Sequence, residues 1–462
     1  MKKFDAVIIG FGKGGKTLAA DMAKRGKTVA VVEHSSKMYG GTCINVGCIP
    51  TKFLVWQSRG ACAGAEASFE QKAERYRRVI AEKTALVEDL RQKNFNNLNG
   101  NENITVITGH ASFVSSSEIS VKTRTETFSI TGENIFINTG AEPVIPHIPG
   151  IHENSRIYTS ASLMSLEELP RRLVIVGGGY IGLEFASVYA AFGSQVTVLE
   201  GADRLMPRED RDMVENMAAA MTAQGIDIRL KARVLSFRDE GTETVVSYKD
   251  ADGETKSLPA DAVLIAVGRR PNTDALDLHA AGVATTPQGA VVVNERLQTS
   301  VPGIWAMGDV RGGPQFTYIS LDDYRIVRET LFGDAQKTTA DQEPFPYAVF
   351  LNPPFARVGM SEEQARASGR PVRVSKVPVG AIPRMRISNE KFGMFKGIVD
   401  AETHEILGCA MFCRDANEVI NMMAVAMRAG VPYTFMRDGI YTHPSVSETM
   451  NELFSEANLI SV

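Results

Sequence analysis

Residues 4–33 read FDAVIIGFGKGGKTLAADMAKRGKTVAVVE, and this stretch decides the fold. An apolar run leads into Gly10-x-Gly12-x-x-Gly15, a helix-like pattern follows, and a second apolar run ends at Glu33. In this order the first glycine permits a tight turn, and the second lets the backbone approach a pyrophosphate at the start of the helix. The acidic residue can accept hydrogen bonds from ribose hydroxyls. The stretch therefore predicts a strand–helix–strand unit that binds a dinucleotide.

The same signature recurs at residues 173–200, which read LVIVGGGYIGLEFASVYAAFGSQVTVLE. It contains Gly177, Gly179 and Gly182 and ends at Glu200, and in both copies 23 residues separate the first glycine from the glutamate. One motif alone is weak evidence because glycines also serve tight helix–strand packing, but two complete copies favour two ligands. We expect a tightly held flavin dinucleotide and a nicotinamide dinucleotide. Glu200 would accept from a free 2′-hydroxyl and repel a 2′-phosphate, so NADH is expected in preference to NADPH.

The composition narrows the class of protein. The chain has 462 residues, of which 44% are hydrophobic, enough for several domains with cores of their own. Its net charge of −4 gives no basic footprint for nucleic acid. The apolar run near the start is too short for a signal peptide, and nothing resembles a membrane span. We expect a cytoplasmic protein, in which thiols stay reduced unless they are catalytic or redox-sensing.

Two of the five cysteines, Cys43 and Cys48, lie close together in GGTCINVGCIPTK at residues 40–52. In an ideal helix, residues five apart have Cα atoms roughly 8–9 Å apart, whereas a disulfide needs about 4.4–6.8 Å. A bridged segment must therefore depart from a helix, which the neighbouring glycines allow. A helix beginning near Pro50 and the charge of Lys52 would stabilise a thiolate. These features favour a redox-active disulfide; a zinc half-site and a pair of inert thiols are the alternatives.

With these motifs in view, the chain is identified as resembling a known family. GGTCINVGCIPTK is similar to the active-site segment of class I pyridine nucleotide–disulfide oxidoreductases, such as dihydrolipoamide dehydrogenase, glutathione reductase and mercuric reductase. Four further stretches resemble family motifs in the same order along the chain: INTGAEP (137–143), AVGRRPNT (266–273), TSVPGIWAMGDV (299–310) and YTHPSVSETMNELF (441–454). The last has Ser445 where the family usually has threonine. The resemblance covers essentially the whole chain.

The resemblance implies an α/β fold with two Rossmann-like dinucleotide-binding domains, one for FAD and one for NAD, and a C-terminal α+β dimerisation domain. The implied domains are a discontinuous FAD domain at 1–149 and 270–342, an NAD(P) domain at 150–269 and an interface domain at 343–462. The implied FAD contacts are Gly10, Gly12, Gly15, Glu33, Gly41, Thr42, Lys52, Thr139, Gly140, Asp309, Gln315, Phe316 and Thr317. The implied NAD contacts are Gly177, Gly179, Gly182, Glu200 and Gly268.

The resemblance also implies catalytic roles. Cys48 would lie nearer the flavin, and Cys43 would be the outer thiolate that attacks the substrate. Lys52 would lie near the flavin, with Glu184 as its ion-pair partner. His443 would act as proton shuttle at the disulfide of the partner subunit, oriented by Glu448, so an obligate homodimer with a shared active site is expected.

Within the family, four stretches resemble bacterial oxidoreductases of reactive-chlorine resistance that reduce copper(II): VIIGFGKGGKTLA (7–19), MYGGTCIN (38–45), LRQKNFNNL (90–98) and above all QFTYISLDDYRIVR (315–328). We therefore expect electrons to pass from NADH through FAD and the Cys43–Cys48 disulfide to an oxidant or metal ion, with copper(II) held as substrate by the two cysteines. Dihydrolipoamide dehydrogenase, or another reductase of small disulfides, is the alternative enzyme. A flavin-bound redox sensor with little turnover is the alternative of another class.

Overall fold

The computed structural model describes residues 2–59 and 67–462, which form two compact units. The first unit comprises Met1–Leu54, Arg78–Val144 and Gly268–Gln342, and the second comprises Val55–Arg77, Ile145–Val267 and Glu343–Val462. Cys62 and the beginning of the charged stretch after it lie outside the described residues. The domain boundaries stay predictions, because compactness alone does not assign a ligand to a segment.

A seven-stranded sheet organises the first unit. Its strands are, in spatial order, Ile104–Thr108, Val29–Glu33, Lys2–Ile9, Thr127–Ile137, Glu118–Lys122 and His110–Phe113, with Ile304–Ala306 beside Thr127–Ile137. The first four strands and Ile304–Ala306 pair in parallel, and the remaining pairs are antiparallel. A two-stranded ribbon joins Ala141–Pro143 to Arg269–Pro271. Parallel strands are buried on both faces, which explains the unbroken apolar run of Val29–Val32.

The helices of the first unit carry its glycine and cysteine motifs. We call them the first helix (Lys13–Lys24), the cysteine helix (Cys48–Arg59), the long helix (Phe69–Asn99) and the late helix (Thr317–Phe332); a single-turn helix spans Thr42–Asn45. The cysteine and long helices continue into the second unit. Short 3₁₀ turns span Ser36–Met38, Leu278–Ala281, Gly308–Arg311 and Thr339–Gln342.

The second unit contains a parallel sheet and two antiparallel sheets. The parallel sheet has the order Asp227–Arg229, Gln195–Leu199, Arg172–Val176, Ala262–Ile265 and Ile157–Tyr158. A three-stranded sheet consists of Arg233–Asp239, Thr244–Lys249 and Thr255–Ala260. The six-stranded sheet has the order Pro346–Val349, Phe355–Gly359, Ile406–Phe412, Met394–Asp400, Val372–Pro378 and Ile460–Ser461.

The helices of the second unit are short except for the second-motif helix (Tyr180–Phe192), Arg211–Ala223 and Ala416–Arg428. The others are Ser160–Leu163, Glu362–Ala367, Pro383–Ile387, Tyr433–Arg437 and Thr449–Leu453, with a 3₁₀ turn at Val379–Ala381. The predicted α/β class with two Rossmann-like sheets and a C-terminal α+β segment is confirmed. No helix in the described ranges combines the length and the hydropathy that crossing a bilayer requires.

A buried ion-pair cluster lies within the second unit. The side chain of Lys396, only 1% exposed, contacts the carboxylates of Asp210, Asp212 and Glu362 at 3.1, 2.6 and 2.9 Å. A buried ammonium group is tolerated only when its charge is matched in this way. The three carboxylates are the one group in the described part of the chain that has the spacing of metal ligands, and Lys396 already serves as their counter-ion.

Candidate active site

The first glycine motif forms the turn between the strand Lys2–Ile9 and the first helix. Gly10 has φ +103°, and a Cβ atom there would lie 2.4 Å from the carbonyl oxygen of Asn138, so only glycine fits. The Asn138 side chain accepts a hydrogen bond from the amide of Gly15 at 2.9 Å and donates one to the carbonyl of Met307 at 2.7 Å. Asn138, which the sequence analysis did not identify, therefore holds the turn in place through these two hydrogen bonds.

Two carboxylates beside this turn suit the hydroxyl groups of a dinucleotide. Glu33 is buried, and its Oε2 accepts from the amide of Phe11 at 3.0 Å. Its Oε1 accepts from the amide of Ser35 at 3.3 Å and lies 2.7 Å from Nδ1 of His34, which leaves the second lone pair of Oε2 for a ribose hydroxyl. Asp309 follows the strand Ile304–Ala306; burial raises its pKa, and the charge of Arg269 opposes this. No side chain of the described residues donates a hydrogen bond to Asp309.

The cysteine segment lies directly against the glycine turn. Gly41, with φ +81°, precedes the single-turn helix that holds Cys43, and a Cβ atom at Gly41 would lie 2.8 Å from Cα of Gly12. Cys48 is the first residue of the cysteine helix. Both cysteines are free thiols, Cys43 half-buried and Cys48 exposed. The close approach of the two segments places the predicted redox pair beside the predicted flavin site.

The charge of the reduced pair is placed on Cys48. A hydrogen bond from the Cys43 thiol lowers the pKa of Cys48. Partial desolvation by the surrounding protein opposes this, although Cys48 keeps accessible surface, and the Thr317 hydroxyl and the charge of Lys52 lower the pKa further. The Thr317 hydroxyl lies 3.4 Å from Sγ of Cys48, at the first position of the late helix. The Cys43 thiol donates its proton to the Cys48 sulfur, and this hydrogen bond, together with burial, raises the pKa of Cys43. A thiolate at the start of a helix is also stabilised by the helix dipole.

The second glycine motif repeats the arrangement in the other unit. A Cβ atom at Gly182 would lie 2.2 Å from the carbonyl oxygen of Gly177, and Gly179 is the N-cap of the second-motif helix. Glu200 accepts hydrogen bonds from the amides of Gly178 at 2.6 Å and Ala202 at 2.7 Å. Its carboxylate is thereby held at the end of the strand Gln195–Leu199, where an acidic residue can meet the ribose of a nucleotide.

Arg204, four residues beyond Glu200, is a cation near enough in sequence to be considered as a partner for a 2′-phosphate. Its guanidinium donates to the carbonyl of Pro207 at 2.7 Å and to the carboxylate of Glu363 at 3.3 Å. Because its guanidinium is bound by these two acceptors, Arg204 is less available to pair with a phosphate.

The predicted proton shuttle has its orienting contact. Nδ1 of His443 lies 2.7 Å from Oε2 of Glu448, whose other oxygen accepts from the amide of Ser445 at 3.1 Å. The His443 side chain is 68% exposed, so its Nε2 is open to a partner outside this unit. Such a contact fixes the ring and the tautomer of a histidine.

The remaining predicted residues are placed as follows. Lys52 lies in the cysteine helix, and Glu184 is buried in the second-motif helix, where it accepts from the amide of Phe350 at 2.9 Å. Phe316 precedes the late helix and stacks on Tyr318 with ring centroids 5.1 Å apart. Gln315 comes just before them, and Thr42 opens the helix of Cys43, next to the thiols. Thr139 and Gly140 follow the strand Thr127–Ile137, and Gly268, predicted for NAD, lies in the first unit.

A zinc site at Cys43 and Cys48 would need a second pair of ligands, for which Cys409 and Cys413 have the nearest spacing along the chain. Cys409 lies within the strand Ile406–Phe412 and Cys413 directly after it, both fully buried among apolar side chains. Burial raises the pKa of both thiols, which opposes the thiolate form that binds zinc.

Comparison with known proteins agrees with this arrangement. Residues 4–323 match the family described as pyridine nucleotide-disulphide oxidoreductase, and residues 345–454 match its dimerisation domain. The chain is 49% identical to the probable pyridine nucleotide-disulfide oxidoreductase RclA of Escherichia coli, over 98% of this chain and 99% of that protein. It is 32% identical to a mercuric reductase of Staphylococcus aureus and 34% identical to the mitochondrial dihydrolipoyl dehydrogenase of Pisum sativum, covering 81% and 90% of those proteins.

Solved structures give the same result. The Cu(II) complex of the HOCl-induced flavoprotein disulfide reductase RclA from Escherichia coli superposes with a TM-score of 0.91, over 98% of this chain and 99% of that one, at 49% identity. The same enzyme, described without Cu(II), superposes with a TM-score of 0.90. The chain therefore belongs to the pyridine nucleotide–disulphide oxidoreductase family, and it is an FAD-dependent flavoprotein enzyme that uses a pyridine nucleotide and carries the family's dimerisation domain.

Proposed function

We propose that this enzyme passes electrons from NADH through FAD and a Cys43–Cys48 disulfide to copper(II) or another oxidant in defence against reactive chlorine, in the cytoplasm. The observation that carries the proposal is the thiol pair itself: Cys48 begins a helix, lies 3.4 Å from the Thr317 hydroxyl and has a lowered pKa. The naming of a Cu(II) complex for a relative that is 49% identical supports copper as the substrate.

The residues of the first unit fit FAD. The glycine turn ends at Gly12, the N-cap of the first helix. The amides of Gly14 and Gly15 already donate to Ser320 and Asn138, so a pyrophosphate would be met by the amides of Gly12 and Lys13. Glu33 and Asp309 have acceptor capacity for ribose and ribityl hydroxyls. Gly41, Thr42, Lys52, Thr139, Gly140, Gln315, Phe316 and Thr317 would complete the site, and Gly10 and Gly15 shape its turn. When bound, FAD supplies two-electron exchange between the nicotinamide nucleotide and the disulfide.

The chain's own residues handle charge and protons. Thr317 and Lys52 hold the negative charge at Cys48, while Cys43 keeps its proton until an acceptor arrives. Removal of that proton makes Cys43 the attacking thiolate. We propose that His443 of the partner subunit takes the proton, with Glu448 of the partner subunit fixing the tautomer, so that each site needs two chains. The ion pair between Lys52 and Glu184 belongs to the same proposal.

Nicotinamide binding is assigned to the second glycine motif. Gly177, Gly179 and Gly182 would form the turn for the pyrophosphate, and Glu200 would bind the ribose hydroxyls. Gly268 stays a predicted NAD contact. The engagement of Arg204 by Pro207 and Glu363 supports NADH over NADPH.

Soft thiolates favour copper(I), the product of copper(II) reduction, over the harder copper(II) ion, so Cys43 and Cys48 would hold copper during its reduction. One NADH then reduces two copper(II) ions: its two electrons cleave the Cys43–Cys48 bond, and re-formation of that bond passes one electron to each copper ion.

An acceptor panel tests the proposal. NADH oxidation by the holoenzyme is measured with copper(II), lipoamide, oxidised glutathione and oxygen, for the wild type and for Cys43→Ser. We expect copper-dependent turnover that Cys43→Ser abolishes. Turnover with lipoamide alone would identify the enzyme as a dihydrolipoamide dehydrogenase, and absence of turnover with every acceptor would favour the redox sensor. Flavin content, read from the visible spectrum, serves as the control for folding.

A further inference from the structure

A lysine that the proposed mechanism does not use lies beside the outer thiol. Lys16 belongs to the first turn of the first helix and is half-buried. Its Nζ donates to Oδ1 of Asn94 at 2.6 Å and to the carbonyl oxygen of Gly40 at 3.2 Å. Burial and the charge of the neighbouring Lys13 lower the pKa of Lys16 to about 8, and a thiolate at Cys43 opposes this. The ammonium group and the Cys43 thiol are thus within electrostatic reach of each other.

This contact joins three stretches that carry the closer resemblance within the family. GKGGKTLA contributes Lys16, MYGG contributes Gly40, and LRQKNFNNL contributes Asn94. The surroundings are stiff, because the ring of Tyr39 stacks on Phe95 with centroids 4.7 Å apart. The ammonium group is therefore held in one place beside the segment that leads to Cys43.

The positive charge around this segment is not neutralised by protein carboxylates. The guanidinium of Arg91, from the long helix, donates to the amide oxygen of Asn45 at 2.8 Å, and both acceptors of Lys16 are likewise neutral. Lys13, Lys16 and Arg91 form no ion pair with a carboxylate in residues 2–59 or 67–462. The nearest acidic residue on the long helix, Asp89, pairs with Lys93 at 2.7 Å. Positive charge without counter-ions attracts anions and raises their local concentration.

We propose that Lys16, supported by Lys13 and Arg91, selects electron acceptors that carry negative charge beside their reducible centre. This inference rests on the proposed role of Cys43 as the outer thiol and adds the chemical class of the acceptor. A bare or cationic copper(II) complex is repelled by the same field, so copper is expected to be accepted best as an anionic chelate. Small disulfides that bear carboxylates are accepted for the same reason.

The electrons balance in both cases. With a disulfide, the Cys43 thiolate attacks one sulfur and the first thiolate leaves; Cys48 then attacks Cys43, the Cys43–Cys48 bond forms and the second thiolate leaves. With copper, the Cys43 thiol and the Cys48 thiolate lose two electrons and one proton as their bond forms, and two copper(II) ions become copper(I). NADH restores the dithiol in either cycle.

The test compares acceptors that differ in charge alone. For the holoenzyme, kcat/KM is measured with three aliphatic disulfides: dithiodipropionate, hydroxyethyl disulfide and cystamine, which are anionic, neutral and cationic. A second arm uses copper(II) as its anionic nitrilotriacetate chelate and as its cationic diethylenetriamine complex. Each arm is run on the wild type, Lys16→Met, Lys16→Arg and Lys24→Met. Lys24 is the matched control, an exposed lysine in the last turn of the same helix.

We expect Lys16→Met to lower the ratio of anionic to cationic kcat/KM by about five- to tenfold, and Lys16→Arg and Lys24→Met to leave it near the wild-type value. High salt should reduce the wild-type ratio. An unchanged ratio in Lys16→Met would overturn the inference while leaving the proposed function intact. Loss of flavin from Lys16→Met with an unchanged ratio would also overturn it, because the charge would then serve the cofactor phosphates. Failure of the wild type to turn over any disulfide or copper complex would instead refute the proposed function.

Discussion

Replacement of Thr317 by valine should weaken the thiolate at Cys48. Valine has nearly the same shape but cannot donate the hydrogen bond that spans 3.4 Å to Sγ. A hydrogen bond to a charged group contributes about 1.5–3 kcal/mol. The long distance and the exposure of Cys48 reduce this to about 1 kcal/mol, so the pKa of Cys48 should rise by about 0.7. At neutral pH a smaller fraction of the reduced enzyme would carry the thiolate.

The assay is a pH titration of thiolate absorbance in the ultraviolet, on the two-electron-reduced holoenzyme. The buried Cys409 and Cys413 do not interfere, because burial raises the pKa of each. Cys62 is replaced by serine in all variants, and Thr317→Ser, which keeps the hydroxyl, is the matched control. An unchanged midpoint in Thr317→Val, or an equal shift in Thr317→Ser, would show that the hydroxyl does not stabilise the charge.

The same change has a consequence for stability. Because the folded-state pKa of Cys48 lies below the unfolded value, this group stabilises the reduced protein above the ordinary thiol pKa, and the contribution is lost as pH falls through the folded value. In Thr317→Val the free energy of unfolding should rise less with pH than it does in the wild type. Urea unfolding of the reduced protein at several pH values measures this.

Four further predictions concern the second unit. Lys396→Met leaves carboxylates without their counter-ion, so the free energy of unfolding should fall by about 3–5 kcal/mol in urea denaturation. Burial opposes ionisation of Glu362, but hydrogen bonds from basic side chains lower its pKa to about 2. The ionised Glu362 should therefore stabilise the fold at neutral pH, and this contribution should be lost as pH falls toward 2. Thermal unfolding would show the loss as a falling Tm. Glu448→Gln should reduce turnover at least about tenfold with the KM for NADH unchanged, because His443 loses its charged partner; equal turnover would contradict the proposed shuttle. Glu200→Gln should raise kcat/KM for NADPH relative to NADH about tenfold, and an unaltered ratio would place coenzyme selection elsewhere.

The sequence was sufficient for the features that depend on local order along the chain. Both glycine motifs and the start of the cysteine helix involve residues close in sequence, where spacing carries the information. The contact of His443 with Glu448 was implied by the resemblance to the family. The class of fold followed from two strand–helix–strand units, and it is confirmed.

Other parts of the site depend on long-range contacts that no local pattern encodes. Asn138 meets Gly15 from 123 residues away, and Thr317 meets Cys48 from 269 residues away. The second meeting requires the late helix to begin beside the cysteine helix, which follows from tertiary packing alone. The sequence around Lys16 shows only a lysine in a helix. Its two hydrogen-bond acceptors, Gly40 and Asn94, lie in distant segments of the chain, so no local pattern predicts the contact.

The cluster around Lys396 limits how far this enzyme can be treated as a set of exchangeable modules. Asp210 and Asp212 come from the segment predicted to bind NAD, whereas Lys396 and Glu362 come from the segment that matches the dimerisation domain. If either segment is produced alone, or is grafted from a relative that lacks the matching charges, some of these buried charged groups are left without their counter-ions. Chimaeras between family members should therefore be cut so that all four residues descend from one parent.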